Sequence, residues 1–176
     1  EQILSEFPFV IQNFHSDNGS EFINQIVAKL LDKLRIHQTK SRPRHSTDNG
    51  LVESKNGSVI RKQFGYRHIP SHHAPTLNTF CCDWLNIYVN YHRPSAYPTV
   101  TTDRKGKEKI IYKHTNYTTP YERLKSLPKA TKYLRTGLTF EQLDQLAYAQ
   151  SDNEFADQMN AAKRNLFPKN NDPFNR

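Results

Sequence analysis

Two carboxylates in the first third of the chain stand where regular elements end and begin. Asp17 directly follows a short β-type run and Glu53 opens a helical stretch, with the 35 residues 18–52 between them. In an α/β layer, strand ends and the helix starts beside them converge on one edge of the sheet, which could bring these side chains close together. Two carboxylates at close range repel unless a cation separates them, and the hard cation suited to oxygen ligands is Mg²⁺. Around the pair stand Lys40, Arg42, Arg44, Lys55, Arg61, Lys62 and Arg67, which with Arg35 make eight basic residues against Asp48 and Glu53 over positions 35–67. Such a collar would hold a phosphate backbone. Phosphodiester chemistry follows as a hypothesis, with metal ions activating a water or sugar hydroxyl and stabilising the departing oxygen. The residues also admit a plainer reading, in which Asp17 is a turn residue and Glu53 complements a helix dipole.

The elements that must position these groups are legible in the periodicity. Residues 9–14 read as a strand delivered into the turn-forming group Asp17, Asn18, Gly19. Phe22, Ile23, Ile26, Val27, Leu30, Leu31 and Leu34 then form an apolar stripe at helical spacing, with Ser20 available as N-cap. That helix is expected to pack one face on a sheet. Residues 36–41 read as a second strand, ended by Arg42-Pro43. Strand, helix, strand implies an α/β layer with a right-handed crossover. A further helix is expected over 51–64, and another over 76–91 with Leu77, Phe80, Cys81, Trp84, Leu85, Tyr88 and Val89 on one face, ending at Arg93-Pro94.

Beyond Pro94 the composition changes. Positions 101–135 hold ten Lys/Arg against three Asp/Glu, around an expected hairpin with Gly106 at its turn. Positions 136–162 hold five acidic residues and no basic ones. There, Thr139 with Gln142 and Ser151 with Glu154 have the spacing of capping boxes, which predicts two short helices forming a helical hairpin. The tail over 168–176 is polar and expected to be loose. The organisation is thus read as 1–95, the α/β segment that carries Asp17 and Glu53; 96–135, a basic extension; and 136–176, a helical segment with a loose tail.

The whole chain of 176 residues carries 25 Lys+Arg against 17 Asp+Glu, a net charge of +8 that points to a polyanionic partner. No apolar run approaches the roughly 18 residues of a bilayer span, and no secretory h-region opens the sequence. The two cysteines, Cys81 and Cys82, are adjacent, which is poor geometry for an ordinary disulfide, so a reducing cytoplasm is the expected setting. Because the sequence opens at Glu1 and its one methionine is Met159, an upstream portion is expected.

His15-Ser16-Asp17-Asn18-Gly19-Ser20-Glu21-Phe22, followed after 35 residues by Glu53 with Asn56 three further on, resembles the catalytic core of retroviral-type integrases and the related bacterial insertion-sequence transposases. Asn90-Tyr91-His92-Arg93-Pro94 and Thr119-Pro120-Tyr121-Glu122 also look like the segment with which bacterial members close that core. The likeness spans roughly residues 7–124. It implies a ribonuclease H-like fold, here lacking its first strands, and a triad of Asp, Asp and Glu in which Asp17 and Glu53 are the last two members. It further implies Mg²⁺ or Mn²⁺ as cofactor, DNA (element ends and target) as partner, a homo-oligomer at full length, and strand cleavage and transfer with a 3′ hydroxyl as nucleophile. By the same likeness Asn56 joins the basic collar as a DNA-binding residue.

Three departures from the family pattern stand out. Only 16 residues precede Asp17, where the family's leading Asp lies some fifty residues earlier, so the fragment alone is expected to be inactive or nearly so. Ile60 occupies a place seven after the Glu where many relatives are basic; it is expected to face the core, leaving phosphate contact to Lys55, Arg61 or Lys62. The 24 residues 95–118 form an insertion that is either an added DNA contact or an exposed turn. The rival reading is a non-catalytic DNA-binding remnant, and a third is a hydrolytic nuclease of the same fold. A zinc site from His68, His72, His73, Cys81 and Cys82 has the wrong spacing, and His15 is either a tuner of metal ligation or simply a hydrogen-bonded strand-end histidine.

Overall fold

The computed structural model describes residues 7–16, 24–42, 50, 54, 56–66 and 68–166. The chain is mixed α/β and divides into two units, Phe9–His68 and Ile69–Arg176 with Glu1–Pro8. Each is described by itself.

In the first unit, strand β1 (Asn13–Ser16) pairs in parallel with β2 (His37–Lys40), and helix α1 (Gln25–Lys33) joins them. The register is Asn13 to His37 through Ser16 to Lys40. β1 thus starts later than the apolar run 9–14 suggests. Its pairing is set by where β2 begins, and the ladder opens with the His37 N–H donating to the Gln12 carbonyl at 2.9 Å. Helix α1 is capped by Asn24, whose side chain accepts from the Val27 N–H at 2.9 Å. The expected cap, Ser20, lies outside the described residues, as do Phe22 and Ile23.

The end of α1 explains where β2 starts. Arg35 adopts a left-handed conformation at φ 55°, its N–H donates to Asp32 O, and the Ile36 N–H donates to Leu31 O. This is the Schellman arrangement, in which the two residues flanking the reversal also pack; Leu31 and Ile36 are both buried. The rest of the α1 stripe is less covered than expected. Ile26 is 81% exposed, and Leu30 and Leu34 are exposed too, because the two described strands are too narrow a platform for the full stripe.

Helix α2 comprises Asn56–Arg61, wound in wide π turns, and Lys62–Phe64. It buries Phe64. Ile60, expected to face the core, is 45% exposed instead: the wider winding shifts the buried stripe away from the 3.6-residue period used to place it.

The second unit is built on α3, residues 71–92, which begins five residues earlier than the apolar pattern indicates because a 3₁₀ turn, Ser71–His73, leads into Ala74–Phe80. Two wide turns, Cys81–Leu85 and Tyr88–His92, complete it; the Asn86 N–H reaches back five residues to Cys81 O. Arg93 is extended, as a residue before proline prefers, and the helix stops there. Strands β3 (Ser95–Thr102) and β4 (Glu108–Thr118) form the expected antiparallel hairpin, with Gly106 at φ 78° in its turn.

Helices α4 (Pro120–Lys125), α5 (Phe140–Tyr148) and α6 (Asp152–Arg164) follow. Thr119 with Glu122, Thr139 with Gln142 and Ser151 with Glu154 are all complete capping boxes. All three helices pack on the Tyr88–His92 turns of α3. The expected helical hairpin of α5 and α6 is therefore two helices gathered by a third, with Phe80, Leu85, Tyr91, Tyr121, Leu143, Phe155 and Met159 in the core. The expected loose tail over 168–176 lies outside the described residues, and no described helix is long and apolar enough to cross a membrane.

Candidate nucleic-acid interface

In the first unit, β1 and β2 run side by side and end together, Ser16 opposite Lys40. Just past that edge the Ser41 N–H donates to Ser16 O at 3.0 Å, which extends the ladder by one bond beyond Lys40. His15 is tied to the β2 side through both ring nitrogens, Nδ1 to Thr39 Oγ1 at 2.8 Å and Nε2 to Ser41 Oγ at 3.3 Å. These bonds make His15 a cross-strand clamp at the residue pair preceding Asp17. The Ser16 hydroxyl, buried at the end of β1, has no partner among the described residues.

Asp17, the next residue in the chain, lies outside the described residues, as do Glu53, Arg44 and Lys55. The remaining expected DNA-binding residues fall in two groups. Lys40 and Arg42 are exposed at and just beyond the end of β2. Asn56, Arg61 and Lys62 are exposed on α2, and the Arg61 guanidinium lies 5.3 Å from the centre of the Tyr66 ring in a cation-π contact that no spacing in the sequence indicates. Carboxylate oxygens are the donor type suited to Mg²⁺ or Mn²⁺, and both candidate donors, Asp17 and Glu53, lie outside the described residues. Among the described residues, no group of three or more His, Cys, Asp or Glu is placed to hold a metal ion.

In the second unit, residues 90–94 and 119–122, the two later segments of the resemblance, pack on one another. Tyr91 and Tyr121 have ring centres 5.0 Å apart. The Tyr121 hydroxyl donates to Asp144 Oδ1 at 2.7 Å, and Lys125 Nζ reaches both oxygens of Asp144 at 2.6 Å. Burial, reinforced by the Asp144 carboxylate, pushes the Tyr121 hydroxyl well above its ordinary value, and burial pushes Tyr91 up to about 12. The bond from Lys125, then that from Tyr121, holds the Asp144 carboxyl below the usual range. Glu122 is lowered by the Thr118 hydroxyl and then the Thr119 N–H. Thr119-Pro120-Tyr121-Glu122 is therefore a capped helix start with a buried aromatic anchor, and its polar groups close the fold.

Two features of this unit depend on tertiary pairing rather than on local spacing. His92 Nδ1 donates to Asp152 Oδ1 at 3.0 Å across 60 residues. The hairpin also carries an exposed apolar face, Pro98, Val100, Ile110 and Tyr112, which the alternation in β4 could have indicated once the strand register was known.

No protein-family model matches the chain, and no solved structure matches it. Over 94 residues it is 32% identical to an uncharacterized protein, y4rM, of Sinorhizobium fredii (strain NBRC 101917 / NGR234). That alignment covers 53% of this chain and 27% of y4rM, so the chain spans about a quarter of that relative's length.

Proposed function

We propose that the chain supplies the second aspartate, Asp17, and the glutamate, Glu53, of a DDE transposase or integrase core with a ribonuclease H-like fold. The carrying observation is the parallel β1–α1–β2 unit, in which Asp17 is the residue immediately after β1 and the exposed Lys40 and Arg42 lie at and just beyond the paired end of β2. This is the edge at which open α/β sheets bind ligands. The uncovered stripe Ile26, Leu30 and Leu34 on α1 also suits a helix that lies on a wider sheet.

In this reading Asp17 and Glu53 would hold Mg²⁺ or Mn²⁺, which would supply activation of a hydroxyl and neutralisation of the departing oxygen. Lys40, Arg42, Arg44, Lys55, Asn56, Arg61 and Lys62 bind and orient the phosphate backbone. The reaction is attack of a 3′ hydroxyl on a DNA phosphodiester: one phosphorus–oxygen bond forms as another breaks. The partners are element ends and target DNA, the working form is a homo-oligomer, and the setting is the cytoplasm.

The decisive assay is metal-dependent nicking and strand transfer by a longer protein that also carries the leading Asp of the triad. Asp17→Asn and Glu53→Gln are each expected to abolish activity while leaving DNA binding in EDTA unchanged. Undiminished activity in either variant removes that residue from the chemistry.

A further inference from the structure

We infer that the β3–β4 ribbon is a docking element for a groove of double-stranded DNA, a contact that needs neither metal nor the carboxylates. Its two strands pair only with each other among the described residues, so the element is one strand pair wide. A B-form major groove, about 12 Å wide, admits such a ribbon. The eight residues of β3 extend roughly 26 Å at about 3.3 Å per residue, most of a DNA helical turn of about 34 Å.

The charge is arranged for a polyanion. Asp103 accepts from the Lys105 N–H at 2.8 Å and the Lys107 N–H at 2.9 Å, so its carboxylate is consumed inside the turn. Arg104, Lys105 and Lys107 are left at the exposed tip, with Lys109 and Lys113 exposed along β4. Only Glu108 opposes these five cations on the ribbon's outer half.

The register supplies the second property. Pro98 faces Tyr112 and Val100 faces Ile110, so these four residues share one face, and all four are exposed; Tyr112 retains 62% of its accessible surface. A two-stranded hairpin is marginal in water, and an uncovered apolar face on one implies a covering partner. A second copy is disfavoured, because stacking two ribbons brings like-charged tips and flanks together. DNA satisfies both features: phosphates take the tip cations Arg104, Lys105 and Lys107, while base edges and thymine methyl groups take the apolar face. Lys109, opposite Thr101, and Lys113 lie on the other face of the ribbon and add only to its general positive field.

The test uses the full chain and a 30-base-pair duplex (about three helical turns) in EDTA, with affinity measured against salt concentration. The exposed tip variant Arg104→Gln/Lys105→Gln/Lys107→Gln is expected to lower the salt slope by about 2 to 3, since each phosphate contact contributes about 0.9, and to weaken binding at least tenfold. Ile110→Ser/Tyr112→Ser is expected to weaken binding with the slope unchanged. A tip variant that keeps wild-type slope and affinity overturns the inference. So does a self-associated species, seen by sedimentation, that Ile110→Ser/Tyr112→Ser dissolves without affecting DNA binding. Neither variant touches Asp17 or Glu53, so failure here is separable from failure of the nicking assay.

Discussion

His92, the last residue of α3, is held by two residues of α6: its Nδ1 donates to Asp152 Oδ1 at 3.0 Å, and its ring stacks on Phe155 with centres 4.3 Å apart. The residue is 1% exposed, and its Nε2 has no partner among the described residues. A carboxylate oxygen only accepts, so the proton of this bond sits on Nδ1. One aromatic ring thus joins the segment just before Pro94 to the start of α6.

Removing the acceptor should cost more than removing the imidazole. Asp152→Ala leaves the buried Nδ1–H unpaired, an expected loss of about 1–3 kcal/mol, whereas His92→Phe keeps a ring against Phe155 and deletes both buried polar atoms. Urea denaturation of the two variants checks the order. If His92→Phe is the more damaging, the bond to Asp152 is not what holds the helices together.

Acid should loosen the closing segment. Asp144, Glu122 and Glu154 all have carboxyls held below their ordinary values, by Lys125, Thr118 and Ser151 respectively as the leading partners. A depressed folded-state value contributes stability that is present above the unfolded value and lost as pH falls through the folded one. The urea midpoint is therefore expected to drop as pH falls through and below the normal carboxylate range. Glu122→Gln, which preserves the capping geometry, should make that drop shallower. An unchanged acid profile in Glu122→Gln means that this carboxylate does not contribute to it.

Alkali acts through the tyrosines. Tyr91 is pushed up to about 12 and Tyr121 is raised as well, so both favour the folded state below the ordinary phenol value of 10. That contribution is lost as pH rises from about 10 through the folded values. Tyr91→Phe should reduce the loss between pH 10 and 12, read by far-ultraviolet circular dichroism, and a wild-type profile in this variant rules Tyr91 out as its source.

How much of this was legible in the sequence depends on the range of the interaction. Thr139/Gln142, Ser151/Glu154, Gly106 and Arg93-Pro94 act within a few residues, and each marks an element boundary in the structure. The strand, helix, strand reading over 9–41 likewise appears as β1, α1 and β2. Ile60 and the start of β1 were misplaced because winding and pairing partners, rather than local periodicity, decide them. His92–Asp152 and Tyr121–Asp144 depend on helices brought together over 60 and 23 residues, which no spacing rule reaches. Of the candidate site, Lys40, Arg42, Asn56, Arg61 and Lys62 are exposed as a phosphate-binding role requires, while Asp17, Glu53, Arg44 and Lys55 lie outside the described residues.

The turn of the β3–β4 ribbon tests a local rule. Gly106 at φ 78° has nothing within 4 Å of where a Cβ would sit, so Gly106→Ala meets only backbone strain, about 1 kcal/mol. A ribbon paired only with itself should open locally, so faster amide exchange is expected in β3 and β4 with little change in α3 or α6. Uniformly faster exchange across the second unit contradicts an independently opening ribbon.

Arg35 offers the opposite substitution. Its left-handed φ of 55° costs an L side chain about 1–2 kcal/mol, while both Schellman bonds, from the Arg35 and Ile36 N–H groups, are made by the backbone. Arg35→Gly keeps those bonds and removes the steric cost, offset in part by about 0.5–1 kcal/mol of added chain freedom in the unfolded state. A net gain of about 0.5–1 kcal/mol is expected in the first unit, read as slower exchange of the Ile36 and His37 amides. Faster exchange there shows that the arginine side chain makes a compensating contact that outweighs the backbone strain.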